Sequence, residues 1–365
     1  MADAAEQVVW PGGAHRIQSI QALRGVAALM VVIAHAIEHD ADPEPRLLGL
    51  AAHFGVVIFF VISGFVITHV AGQGQFPPGS FLKRRIVRVV PLYWCLTLLV
   101  AVLTVVAPSV FKTTRFDPVY LIKSLLFLPA LLPGTTNDWR PLFKPGWTLN
   151  YEMFFYVVMA LLFWCRSMRG RVGLLSLCLG ALVVTSFFVV QRADWFAFYA
   201  NLELLPFIGG TWLALLWNQG RIQSLGRGIH LALMVAAAAI TIRFFAFAPY
   251  PAPWLVQELT MMVAAILLVA VALRYEHFFA RHRASTWLGD ISYSLYLVHM
   301  FVVGLGWAVL HRFHIVAESP KGAIGVAVIV LGSIAAADLS YRFFERPLLR
   351  LERRLRAPVA GDIRK

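Results

Sequence analysis

The sequence predicts an all-α fold: a polytopic integral membrane helix bundle with about ten transmembrane helices and both termini cytoplasmic. Three observations predict it. The 365 residues are 59% hydrophobic and only 14% charged, with a mean hydropathy of +0.73, too apolar for a water-soluble domain of this length. Apolar runs of about 20 residues, enough to cross roughly 30 Å of hydrocarbon, recur along the chain. Lys and Arg gather in every second connection, as they do on the cytoplasmic side of a membrane. A transmembrane barrel is excluded, because alternating strands of about ten residues are absent.

Taken in order, the spans fall near 22–38, 52–72, 88–108, 147–165, 171–190, 198–218, 229–248, 254–273, 289–310 and 322–341. With a cytoplasmic amino terminus, the inner segments hold Arg16 and Arg24, then Lys83, Arg84, Arg85 and Arg88, then Arg166, Arg169 and Arg171. Arg221 and Arg227 follow, then Arg274, Arg281 and Arg283, and last the basic run from Arg342 to Lys365. An even number of passes returns the carboxyl terminus to the same side. The formal charge of +13 is mostly this orientation signal, and no zinc-finger or RNA-binding spacing accompanies it, so a nucleic-acid partner is not expected.

The chain divides into a cytoplasmic segment at 1–21, one transmembrane domain at 22–345 and a basic cytoplasmic tail at 346–365, without a linker or an internal repeat. Asp3, Glu6, Pro11 and a Gly-Gly pair make the first twenty residues unlike a cleaved signal peptide. The longest extramembrane piece, about 109–146, lies on the outer side and holds a short helix near 118–128. Cys95, Cys165 and Cys178 sit in or at the ends of apolar spans as small buried hydrophobes, so neither disulfides nor a metal site is expected of them. The glycines at 55–64 and 304–306 suit close helix packing.

Within this frame a few ionisable residues stand out. In "QALRGVAALMVVIAHAIEHD", Arg24 and His35 lie about 16 Å apart on one stripe of one helix, since eleven residues make almost three turns. Arg24 can snorkel to the interface, whereas a histidine inside a span is by default a functional group. In "WTLNYEMFFYVV", Glu152 must be paired or protonated, and its depth sets it beside His35. Such a couple makes a general base, the carboxylate orienting the imidazole; the alternative is a structural ion pair between two helices.

In "SFLKRRIVRVVPLYW", Arg85 and Arg88 share one helix face, and two planar guanidinium groups there suit the phosphates of a cytosolic ligand. In "GDISYSLYLVHMFVV", Tyr293 stands near a span end and His299 near mid-membrane. Glu38, Glu203, Arg243 and Glu258 occupy the outer half, either as buried pairs or as the lining of a path.

Together these stretches resemble the membrane-bound acyltransferase 3 family, almost over the whole chain and in family order. The carriers are the Arg-x10-His of the first span, "GVVIFFVISGF" at 55–65, "RIVR" at 85–88, "WTLNYEMFFY" at 147–156 and "GDISYSLYLVH" at 289–299. The opening "IQSIQALRGVAALMVVIAHA" and the closing "YRFFERPL" are most similar to its exopolysaccharide O-acyltransferase members. The resemblance implies transfer of an acyl group, commonly acetyl, from cytosolic acetyl-CoA to a hydroxyl of a carbohydrate at the bacterial inner membrane. It implies His35 and Glu152 as the catalytic pair, with His35 as general base or transient acyl carrier. Arg24, Arg85 and Arg88 become acyl-CoA contacts, and Ser63, Tyr293 and His299 match recurrent positions of unassigned role. No tightly bound cofactor is implied; membrane lipids and polysaccharide-assembly proteins are the further partners. A secondary transporter of a small polar solute or sugar is the rival reading, favoured by inverted repeats and broken helices that the sequence does not clearly carry.

Overall fold

The computed structural model describes residues 17–40, 46–110, 116–135, 138–188, 195–246, 253–279, 283–316 and 319–354. Arg16 and Arg281, most of the 1–21 segment and the end of the basic tail lie outside them. Among the described residues the chain is helical throughout, with no strand. Its α-helices are α1 (Gln18–Glu38), α2 (Arg46–Ala71), α3 (Pro78–Val106), α4 (Pro118–Leu125), α5 (Gly146–Leu161), α6 (Met168–Ser186) and α7 (Trp195–Tyr199). They continue as α8 (Leu205–Asn218), α9 (Arg227–Ala246), α10 (Trp254–Arg274), α11 (Glu276–Phe279), α12 (Arg283–Arg312), α13 (Pro320–Ser340) and α14 (Arg346–Arg354).

Among the described residues eight helices are long and apolar enough to cross a membrane. The predicted spans at 147–165 and 198–218 are carried instead by α5 and α8, of 16 and 14 residues. Each stops short for a local reason. A turn follows Leu161 in the first case, and in the second Asn201 caps a separate 3₁₀ turn, Leu202–Leu204, ahead of Pro206 in the first turn of α8. A short helix can sit at membrane depth when protein covers its ends, and α8 packs along the whole inner face of α2. The short outer helix forms as α4, where Asp117 caps the Tyr120 amide at 2.6 Å.

Glycines set how closely the central helices approach. A Cβ at Gly64 would strike the Phe207 backbone, and one at Gly210 the Val61 carbonyl, so α2 and α8 touch backbone to backbone. Gly25 and Gly289 do the same for α1 and α12, which run parallel in constant register: Gly25 meets Leu288, and His35 meets His299. Trp307 Nε1 locks that register by donating to the Ala36 carbonyl at 2.7 Å. Gly55 and Gly306 pack closely as predicted, against Ala27 and Ile329, whereas Gly304 meets nothing within 4 Å.

One expectation needs correction. Cys95 and Cys178 are exposed and Cys165 half-buried, all three as free thiols. The outer faces of α3 and α6 are covered by apolar side chains such as Val102, Val105 and Leu177, which are also exposed. A thiol suits a lipid-facing surface as well as a core, and hydropathy does not separate the two.

Candidate active site

The helix starts decide what the arginines face. Because α3 begins at Pro78, ten residues ahead of the predicted span, Arg85 and Arg88 lie inside a continuous helix, one turn apart. They turn inward with Arg24 of α1. These side chains line one cavity together with Ser63 of α2, Glu152 and Tyr156 of α5, and Tyr293 and Tyr296 of α12.

Glu152 anchors the floor. Ser63 Oγ donates to its Oε1 at 3.0 Å, and Tyr156, one turn further along α5, donates to the same oxygen. A second carboxylate, Glu345, is buried at the π-helical turn Tyr341–Glu345 and accepts from Ser294 Oγ at 3.0 Å. It interacts electrostatically with Arg24 and Arg88. Three guanidinium groups thus face two carboxylates, an excess of positive charge in a buried setting. Arg85 is 6% exposed, and its Nε is buried with no hydrogen-bond partner among the described residues. Its neighbours are the Phe81 and Tyr156 rings, 5.8 and 6.0 Å from the guanidinium carbon. A buried guanidinium donor of this kind is chemically suited to an anionic oxygen.

His35 has a different neighbour from the one the sequence predicts. Its Nδ1 lies 3.3 Å from Nε2 of His299, with the rings stacked at 5.3 Å. The hydrogen bonds of Glu152 go to Ser63 and Tyr156, so the predicted His35–Glu152 couple is resolved into two separate arrangements. Depth along a helix limits which residues can meet, but two helices can still point their side chains to different partners. The geometry assigns the tautomers. Nδ1 of His299 faces the Leu295 carbonyl at 3.2 Å and must donate to it, so its Nε2 accepts from His35 Nδ1. The basic lone pair of a neutral His35 is then on Nε2. The Tyr296 ring, on the cavity wall, stands 6.2 Å from His299 and connects the two arrangements.

Tyr293 also ties α12 to α3, donating to the Val89 carbonyl at 2.5 Å. Sequence reasoning missed Tyr156, Tyr296 and Glu345 as site residues. Glu345 carried a signal, a lone carboxylate within "YRFFERPL", but it fell at the edge of a segment read as tail.

Of the outer groups, Glu203 and Glu258 converge on His53 Nε2 at 3.6 and 3.1 Å. Their ligand atoms lie within 4.8 Å of one another, close enough to hold a metal ion. The 3.1 Å contact is itself a hydrogen bond, however, and an imidazole N–H between two carboxylates accounts for the group without a metal.

Many long apolar helices, an arginine-lined cavity and a histidine pair beside Tyr296 of its wall fit one class, a polytopic membrane protein with a polar site inside its helix bundle. The chain matches the family described as an acyltransferase domain over residues 17–340. It belongs to the acyltransferase 3 family and is an acyltransferase. It is 31% identical to the exopolysaccharide production protein ExoZ of Rhizobium meliloti, over 84% of this chain and 93% of that one. It is 25% identical to the acyltransferase MdmB of Streptomyces mycarofaciens over 94% of each chain. With the peptidoglycan O-acetyltransferase OatA of Listeria monocytogenes it shares 24% identity over 91% of this chain and 56% of that one. No solved structure matches the chain.

Proposed function

We propose that this membrane enzyme transfers an acyl group, most simply acetyl, from cytosolic acyl-CoA to a hydroxyl of a carbohydrate of the cell surface, at the bacterial inner membrane. The observation that carries the reading is the cavity that joins the guanidinium groups of Arg24, Arg85 and Arg88 to Tyr296, next to the His299–His35 pair. The nucleotide phosphates of CoA are held at the arginines, and the slender pantetheine arm extends along the cavity toward His35. The thioester is uncharged and needs no neutralisation, so the excess positive charge serves the phosphates.

In the chemical step, Nε2 of His35 takes the proton of the acceptor hydroxyl as its oxygen attacks the thioester carbonyl. The C–S bond breaks, and the proton passes to the departing thiolate, leaving an ester and free CoA. His299 is a positioning residue that fixes the His35 tautomer. Glu152, bonded to Ser63 and Tyr156, balances the arginine cluster and keeps those side chains oriented. The short helices α5 and α8 complete ten passes in this reading, with both termini cytoplasmic, because the basic connections then fall on the same side as the arginines.

The test is turnover of acetyl-CoA by purified protein in nanodiscs with oligosaccharide acceptors. His35→Ala is expected to lower transfer by at least roughly a hundredfold, the usual contribution of a general base, with insertion intact. Undiminished transfer in that variant would remove His35 from the mechanism.

A further inference from the structure

A second concavity opens at the amino-terminal end of α5, between the connection ahead of it and the α7 segment. Its lining includes Asp138, Trp139, Trp147, Tyr151, Asn201 and Glu203. Its volume is about 650 Å³.

The two spaces share a wall, and one motif builds it. On α5, Trp147 and Tyr151 are a turn apart and face the cleft, while Thr148 and Glu152, also a turn apart, face the arginine cavity. Phe60 lines the inner cavity and packs near-perpendicular to Trp147 of the cleft at 6.3 Å, so the partition there is two aromatic rings thick. From Trp147 the aromatic surface continues through Tyr151 and Phe198 to Trp139, with ring centroids 6.1, 4.5 and 6.2 Å apart.

We propose that this cleft is the acceptor site, and that it takes an uncharged pyranose ring of an oligosaccharide, stacked on Trp139 and Trp147 and hydrogen-bonded by Asn201 and Glu203. The inference rests on the acyl-transfer reading above and names the substrate class and its place. Aromatic faces are electron-rich and attract the weakly positive C–H face of a sugar, while amide and carboxylate groups take its hydroxyls. Glu203 Oε2 is buried with no hydrogen-bond partner among the described residues, an acceptor suited to a hydroxyl donor. Charge argues for a neutral sugar. Arg140, the one cation of the lining, is engaged by Asp138 at 2.6 and 2.8 Å, which holds that carboxyl below the usual range and leaves no surplus positive charge for an acidic sugar. The arginine cavity leads to the donor and the aromatic cleft receives a ring, with Phe60 and Trp147 between them.

The experiment uses the full chain in nanodiscs, acetyl-CoA, and neutral glucose- and galactose-based oligosaccharides beside uronic-acid-containing ones. Trp139→Ala is expected to raise the acceptor KM about tenfold with little change in kcat or acetyl-CoA KM, and Trp139→Phe to restore most of it. Direct oligosaccharide binding without donor should weaken in parallel, and neutral oligosaccharides should be preferred to acidic ones. If the wild type transfers acetyl to a neutral oligosaccharide but both Trp139 variants leave acceptor KM and binding unchanged, the cleft is not the acceptor site and the transfer reading stands. Preference for acidic oligosaccharides would overturn the neutral-sugar assignment. Absence of transfer to every oligosaccharide by a wild type that still binds acetyl-CoA would overturn both.

Discussion

Arg171 and Arg85 are both basic residues near the starts of long apolar helices, and both are buried, at 0% and 6% exposure. Their partners separate them. The Arg171 guanidinium donates to the carbonyls of Gly72, Gly74 and Cys165 at 2.9, 2.5 and 2.7 Å, and its carbon lies 4.8 Å from the Phe76 ring centre. It joins the turn after α2 to the turn before α6. Arg85 has aromatic neighbours and no hydrogen bond to the described residues. The two share one residue type and one topological signal and differ in how much hydrogen bonding the protein supplies: both terminal nitrogens of Arg171 are bonded, and only its Nε lacks a partner among the described residues. A buried donor without an acceptor is costly, which makes Arg85 the candidate for completion by a ligand.

The largest expected effect comes from breaking the Arg171 contacts. Arg171→Ala strips three carbonyls of their donor and should cost roughly 2–4 kcal/mol, read as a clear fall in Tm in detergent. An unchanged Tm would mean that those contacts hold nothing. Next is the ligand side. Arg85→Ala combined with Arg88→Ala should weaken acetyl-CoA binding about tenfold to a hundredfold and leave Tm nearly unchanged. The sharper version compares acetyl-CoA with acetylpantetheine, which lacks the nucleotide phosphates; the variant should lose affinity for the first and little for the second. Equal CoA affinity in variant and wild type would end the phosphate assignment. The smallest effect belongs to Ser63→Ala, which removes one of two donors to Glu152 and should lower kcat/KM by about fivefold, near 1 kcal/mol, with Tyr156 still bonded.

Much of the site was legible residue by residue. Arg24, His35, Arg85, Arg88 and Glu152 are conspicuous because ionisable groups are rare in apolar spans, and the i, i+3 spacing places Arg85 and Arg88 on one face without any coordinates. Pairing was not legible. The sequence predicts compatible depths for Glu152 and His35, yet Glu152 turns to Ser63 and Tyr156 while His35 meets His299. Helical rotation and neighbour order decide such contacts, and neither is written in a hydropathy profile. Glu345 was hidden for a related reason: the helix continues past α13 through a π turn, bringing the last residue read as transmembrane domain within electrostatic reach of Arg24 and Arg88.

By itself the sequence determined that this chain is a helical membrane protein, where most of its helices run, and which charged side chains are too costly to be in apolar spans by accident. Those properties follow from local composition and from the free energy of placing each segment in hydrocarbon. The tertiary structure alone decided that α5 is a partition, with Glu152 facing an arginine-lined cavity and Trp147 facing an aromatic cleft, and that His35 leans on His299. It also decided that α5 and α8 are shorter than their apolar runs. These depend on backbone approach at Gly25, Gly64, Gly210 and Gly289, where the absent side chain sets the spacing and rotation of whole helices. Contacts between segments far apart in the chain arise from that packing, and no window of sequence contains it.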